Sequence, residues 1–282
     1  MKPGGLRRLQ KSLKKHWKRY RKELKRCQAN CSEKAIHAMR VETRRLLSTV
    51  ELLGSFVPAR CAGKLSRGLK QRLDIFDDLR DTQVQLLQVG KMCRAFPAAR
   101  AFRDHLLKRE LRLAKKTRKR IKAVTTGSLG ELIEACRKKV EAQCEVLPAK
   151  TASAQLVRAV ERAFTRTRQL RSRIDPRDTK TIHCTRVAFK KFRYMVEELA
   201  EYLPGANDTV LAEMRHYQAM MGDIQDAEVL LSALDKFLAR KEIRRKPGRQ
   251  LREELARRRL WLIRVYLDAA DQLTDFWPPE KR

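Results

Sequence analysis

The chain has 282 residues, 43% of them hydrophobic and 35% charged, which allows one large core or two of ordinary size. Its 66 Lys+Arg against 33 Asp+Glu give a formal net charge of +33. So much positive charge repels itself, so the natural partner is a polyanion: nucleic acid, polyphosphate or an anionic membrane surface. No stretch is long and apolar enough to span a bilayer. Met1 to Arg8 holds no apolar run and does not read as a signal peptide, so the expected location is the cytoplasm. The seven cysteines are odd in number and include no Cys-x-x-Cys, which fits reduced structural thiols.

In chain order, Leu6, Leu9, Leu13, Trp17, Tyr20 and Leu24 recur at helical spacing, with eleven cations and one acid, Glu23, between Arg7 and Arg26. The aromatics share the leucine face, which makes them core rather than a base-stacking platform. Asn30 to Ser32 breaks the pattern, and Ser32 suits an N-cap for a second helix ending near Phe56, ahead of Pro58. A third helix is expected from Cys61 to Ala95 on the stripe Leu65, Leu69, Phe76, Leu79, Leu86 and Leu87. A fourth, strongly basic, runs from Ala98 to Ala123. After the break at Thr125 to Ser128, a shorter helix from Leu129 to Val146 reads as a connector. The order then repeats: a helix marked by Leu156 to Leu170, one ending by Pro204-Gly205, one from Thr209 to Ala239, and one from Gly248 to Phe276. No period-2 alternation appears.

The sequence thus predicts an all-α fold: two pseudo-twofold-related four-helix bundles, an internal duplication, joined by a connector helix. Residues 1–126 make the first four-helix half, 127–150 the connector and 151–282 the second half.

The duplication is plainest in the second helix of each half. His37-Ala38-Met39-Arg40-Val41-Glu42-Thr43-Arg44-Arg45 is echoed by His183-Cys184-Thr185-Arg186-Val187-Ala188-Phe189-Lys190-Lys191. The offset is constant: 183 − 37, 186 − 40, 190 − 44 and 197 − 51 all equal 146. At about 100° per residue, His37, Arg40, Arg44 and Glu51 fall within about 60° of one another on the wheel. His183, Arg186, Lys190 and Glu197 do the same, joined by Arg193. Met39, Leu46, Val50 and Leu53 lie opposite in one copy, and Phe189, Phe192, Val196 and Leu199 in the other. Charged faces are commonly just solvated. Solvated faces usually mix Glu with Lys, however, whereas both of these begin with a histidine and two cations.

These motifs, with Leu79-Arg80-Asp81-x-x-Val84 and its partner Ile224-Gln225-Asp226-x-x-Val229, resemble the signature of the CHAD family, the conserved histidine α-helical domains. The resemblance spans essentially the whole chain. It implies an all-helical, internally duplicated domain that binds inorganic polyphosphate in a basic groove or pore, in association with polyphosphate granules. The polyphosphate-binding residues expected are His37, Arg40, Arg44, Arg45, His183, Arg186, Lys190, Lys191 and Arg193. Guanidinium forks match phosphate oxygens bidentately and Lys adds a point charge. His37 and His183 would donate hydrogen bonds to phosphate, an anion favouring the charged imidazole.

Glu51, Glu197, Asp78, Asp81, Asp223 and Asp226 are expected to orient the cations through salt bridges rather than touch a polyanion. The aspartates repeat at offset 145 (223 − 78 and 226 − 81). A magnesium site for phosphohydrolysis is the weaker reading of them. Neither histidine has a second ligand at helical spacing, so no metal is expected. No phosphate-cradling glycine loop, nucleophile elbow or zinc signature appears, so neither catalytic residues nor a cofactor are expected. The leading expectation is a non-catalytic polyphosphate-binding protein. An architectural nucleic-acid-binding protein is the alternative, since excess cations bind any phosphate backbone.

Overall fold

In the first helix the leucine stripe is the buried side: Leu6, Leu9, Leu13, Tyr20 and Leu24 are all buried, while Lys11, Lys15, Lys18 and Lys22 between them are exposed. The same division of apolar and charged faces recurs down the chain. A computed structural model describes residues 4–240 and 245–278. Its helices are α1 (Gly5–Ala29), α2 (Glu33–Leu53), α3 (Ala59–Asp74), α4 (Asp77–Gly90), α5 (Pro97–Lys122), α6 (Gly127–Val146), α7 (Ala149–Arg171), α8 (Thr179–Leu199), α9 (Asp208–Ala239) and α10 (Arg245–Asp268). Short 3-10 helices follow at Ala200–Tyr202 and Ala270–Phe276. No strand occurs among the described residues, so the fold is all-α. None of the described helices is long and apolar enough to cross a membrane.

Local signals set several of the ends. Ser32 caps α2 as its position suggests, its Oγ accepting from Ala35 N at 3.3 Å. Asp178 caps α8 by accepting from Lys180 N, and Asn207 caps α9 by accepting from Val210 N. All seven cysteines are free, and burial pushes the Cys27 thiol up to about 12.

One expectation fails. The single third helix from Cys61 to Ala95 is two, because the chain turns at Ile75-Phe76 between α3 and α4. Both residues are buried there, and Asp77 and Asp78 occupy the first turn of α4, where the positive end of the helix dipole favours acids. The corresponding α9 runs unbroken for 32 residues.

Packing follows a repeated plan. Helix α1 lies against α2 and α7 against α8; α2 meets α3 and α8 meets α9; α4 meets α5 and α9 meets α10. Between these sets α1 touches α7, α2 touches α8, α4 touches α9 and α5 touches α10. The segment expected as a connector is itself packed: α6 lies on α1 and α3 and buries Leu129, Ile133, Cys136 and Val140. Two apolar clusters result. The larger gathers α1 to α3, α6 to α8 and the start of α9, and the smaller joins Val89, Phe102 and Leu106 to Leu230, Phe237 and Leu251. Each draws on both the early and the late helices, so neither half of the chain has a core to itself.

Candidate anion-binding site

The apolar faces of the two motif helices anchor them. Met39, Leu46, Val50 and Leu53 on α2 are fully buried, as are Phe189, Phe192 and Leu199 on α8, with Val196 at 1%. Because α2 packs directly on α8, residues one and two turns apart on each helix are brought into one group with those of the other.

Arg40, Arg44, Arg186 and Lys190 form that group. Each is only partly exposed, and the charges of Arg40 and Arg186 act on both Arg44 and Lys190. Burial, then Arg40 and Arg186, lowers the pKa of Arg44, while the neighbouring Tyr194 opposes the fall. Burial and the neighbouring Arg44, Arg186, Arg40 and Arg193 bring the Lys190 ammonium down to about 6. Among the described residues no carboxylate lies at ion-pair distance from Arg44, Arg186 or Lys190. Arg40 differs. Its Nη1 donates to Asp77 Oδ1 at 2.6 Å and to the Leu73 carbonyl at 3.4 Å, and its side chain is 12% exposed. Arg186 Nε and His183 Nδ1 are buried with no hydrogen-bond partner among the described residues. His37, at the equivalent place on α2, is exposed.

The remaining cations of the motif lie to the side and are already paired. Arg193 is 6% exposed, ion-paired with Glu197, bonded to Gln218 Oε1 at 2.9 Å and stacked 4.2 Å from the Tyr194 ring. Arg45 holds Glu42 at 2.8 Å. Both line a cavity of about 490 Å³ together with His16, Tyr194, Glu198 and Arg215. Lys191 is exposed and holds Glu51 at 3.2 Å at the edge of a second cavity, about 220 Å³, with Arg162 and Arg166.

The acids surround the group rather than fill it. Glu197 engages Arg193 and also Arg215 at 3.1 Å. Asp78 is exposed, with its carbonyl accepting from Thr82 Oγ1. Burial raises the pKa of Asp81, Asp223 and Asp226; Arg186 opposes the rise at the last two and Arg40 at the first. Asp226 is raised further by Asp223 and Asp81. Among the described residues no three His, Cys, Asp or Glu side chains are placed to hold a metal ion. The arrangement therefore has one evident chemical capacity: it can accept an anion dense in charge, with Arg44 and Arg186 facing no carboxylate at ion-pair distance among the described residues and Lys190 able to take up a proton beside that anion.

Three further residues matter that the motif reading passed over. Asp77, not Asp78 or Asp81, holds Arg40. Tyr194 supports both Arg44 and Arg193. His16 is 6% exposed and bridges α1 to both motif helices, its Nδ1 at 3.0 Å from Glu42 Oε2 and its Nε2 at 3.4 Å from Glu198 Oε2. Burial pulls the His16 pKa down, but the two carboxylates outweigh it and hold the ring above its ordinary value.

A family model described as CHAD domain matches residues 11–235. Among solved structures, the chain is similar to the CHAD domain from the plant Ricinus communis, with TM-score 0.69, 16% identity, and coverage of 95% of this chain and 92% of that one. It is also similar to PptA from Streptomyces chartreusis, with TM-score 0.68, 15% identity, and coverage of 97% and 100%. No curated protein matches.

Proposed function

The chain belongs to the CHAD domain family, and from that premise we propose that it binds inorganic polyphosphate, without catalysis, along the cations of α2 and α8. One observation carries the reading: three arginines and Lys190 are packed against one another in a largely buried group, and among the described residues Arg44, Arg186 and Lys190 have no carboxylate at ion-pair distance. Buried like charges are costly unless something of opposite sign answers them. A phosphate chain supplies that answer without bases to accommodate. The like-with-like contacts of α1 with α7, α2 with α8, α4 with α9 and α5 with α10 support a duplicated, pseudo-twofold arrangement. In it Arg40 and Arg44 face a shared anion path from one side and His183, Arg186 and Lys190 from the other, while His37, Arg45, Lys191 and Arg193 stand at its margins. Glu51, Glu197 and the aspartates would steer the cations rather than touch the ligand.

The competing reading is architectural nucleic-acid binding, which the exposed cations of α1 favour. Labelled long-chain polyphosphate titrated at physiological salt against duplex and single-stranded competitors separates the two. The expected result is that unlabelled polyphosphate displaces the label at far lower phosphate concentration than either nucleic acid. Equal displacement by DNA would move nucleic-acid binding ahead. Release of orthophosphate on adding magnesium would instead revive a hydrolase.

A further inference from the structure

The repeat is not symmetrical where it matters. Arg40 and Arg186 are equivalent by sequence (186 − 40 = 146), and the helices that face them correspond at offset 145 (223 − 78). The residue equivalent to Asp77 is therefore Gly222 (222 − 77 = 145). The structure agrees with this arithmetic. Asp77 Oδ1 lies 2.6 Å from Arg40 Nη1, and a Cβ added at Gly222 would lie 3.6 Å from Arg186 Nε and 3.7 Å from its Nη2. The same place beside the same arginine holds a carboxylate in one half and a hydrogen atom in the other.

We propose that the two halves offer unequal phosphate subsites, the Arg186–His183 subsite being the stronger because Gly222 leaves its guanidinium without the carboxylate that Asp77 gives Arg40. The inference rests on the polyphosphate reading and adds to it where the chain is gripped. Steric need does not explain the glycine, since a Cβ there meets only ordinary contacts and Gly222 sits inside α9, where alanine would favour the helix. Among the described residues Arg186 Nε and His183 Nδ1 are buried without hydrogen-bond partners, and a phosphate oxygen would satisfy a donor at either. Asp223 and Asp226 feel the Arg186 charge, but neither stands at ion-pair distance, and Asp81 holds the corresponding place near Arg40. The difference in ion pairing between the two equivalent arginines is thus the single carboxylate of Asp77. A charge of that sign next to the guanidinium cancels much of its pull on phosphate, so an anion seats first at Arg186, Lys190 and Arg44 and reaches Arg40 only against Asp77.

The test is calorimetric titration of the full chain with tripolyphosphate. Gly222→Asp should weaken binding about tenfold, while the uncharged, similarly sized Gly222→Asn should lose far less. Asp77→Asn should tighten binding about threefold or more, because it releases Arg40. Arg186→Ala should cost more than Arg40→Ala, which keeps the comparison open if the helix-start variant at Asp77 folds poorly. Circular dichroism checks that each variant is folded. Equal losses for Gly222→Asp and Gly222→Asn, or equal losses for the two arginines, would overturn the asymmetry while leaving polyphosphate binding intact. If the unaltered protein binds neither tripolyphosphate nor long-chain polyphosphate, both readings fall together.

Discussion

Lys190 gives the most discriminating prediction, because its charge in the empty protein is suppressed by the cations that would hold the ligand. Burial and four arginines hold its pKa near about 6. At pH 8, two units higher, only about 1% of the free protein carries the proton. A phosphate oxygen about 4 Å away contributes about 4 kcal/mol at an effective dielectric of 20, or about three pK units, which lifts Lys190 to about 9 in the complex. The bound state then holds more protons than the free state, so binding takes up about 0.9 proton at pH 8. By linkage the affinity falls almost tenfold per pH unit between about 6 and 9. The assay is titration calorimetry with long-chain polyphosphate at pH 8 in buffers of different ionisation enthalpy, whose slope counts protons. Lys190→Arg keeps a cation there that cannot be neutralised, so its slope should be smaller by most of one proton. Any uptake by the end groups of the ligand is common to both proteins and cancels. Equal slopes in the two proteins would refute the reasoning.

Charge position should matter more than charge number. Changing Arg40, Arg44, Arg186 and Lys190 to Ala removes four of 66 cations, and should weaken polyphosphate binding far more than changing the exposed Lys11, Lys15, Lys18 and Lys22, as measured by fluorescence titration; similar losses would mean that net charge alone drives binding. His16 should make stability pH-dependent on the alkaline side. Its pKa is raised in the fold by Glu42 and Glu198, so its stabilisation is complete below the unfolded value of about 6.5 and is lost as pH rises through the folded one. Denaturant melts of wild type and His16→Gln should therefore converge with rising pH, and the difference between the two cancels the opposite trend from Lys190. Phe189, fully buried with its ring 4.8 Å from Tyr217 and 5.7 Å from Phe276, should cost about 3–5 kcal/mol when changed to Ala, read from the shift in urea midpoint. A loss under 1 kcal/mol would show that α8 is not anchored there.

The motif helices were legible because two independent patterns coincide on them: an apolar face at helical spacing, and a charged face repeated at offset 146. Helix type and order followed from the same periodicity. The turn at Ile75-Phe76 was not legible, because Leu65, Leu69, Phe76 and Leu79 keep the helical stripe across it and neither glycine nor proline marks it. Only Asp77-Asp78, a paired acid at a helix start, hinted at a new N-terminus. Asp77 was missed for a related reason. A search for repeats favours residues that match, as Asp78 and Asp81 do, and passes over a position that differs between copies. His16 carried no signal at all, since a lone histidine on a basic helix reads as one more polar residue until the fold brings Glu42 and Glu198 to it.

Burial also separates the two polyanion readings. The α1 lysines stand in water, where a duplex can lay its phosphates against them, and contacts of that kind weaken steeply with salt. Arg44 and Lys190 are partly buried where α2 packs on α8, so a rigid duplex should meet them less readily than the exposed α1 lysines. A thin chain with no bases is the better fit to such a place, and partly buried charges are screened less by water and salt. These cations are already gathered, with their repulsion offset by the buried apolar faces of α2 and α8, so little ordering is left for the ligand to drive. On the proposed reading, nucleic-acid binding by this chain should therefore depend on α1, and polyphosphate binding should depend on α2 and α8.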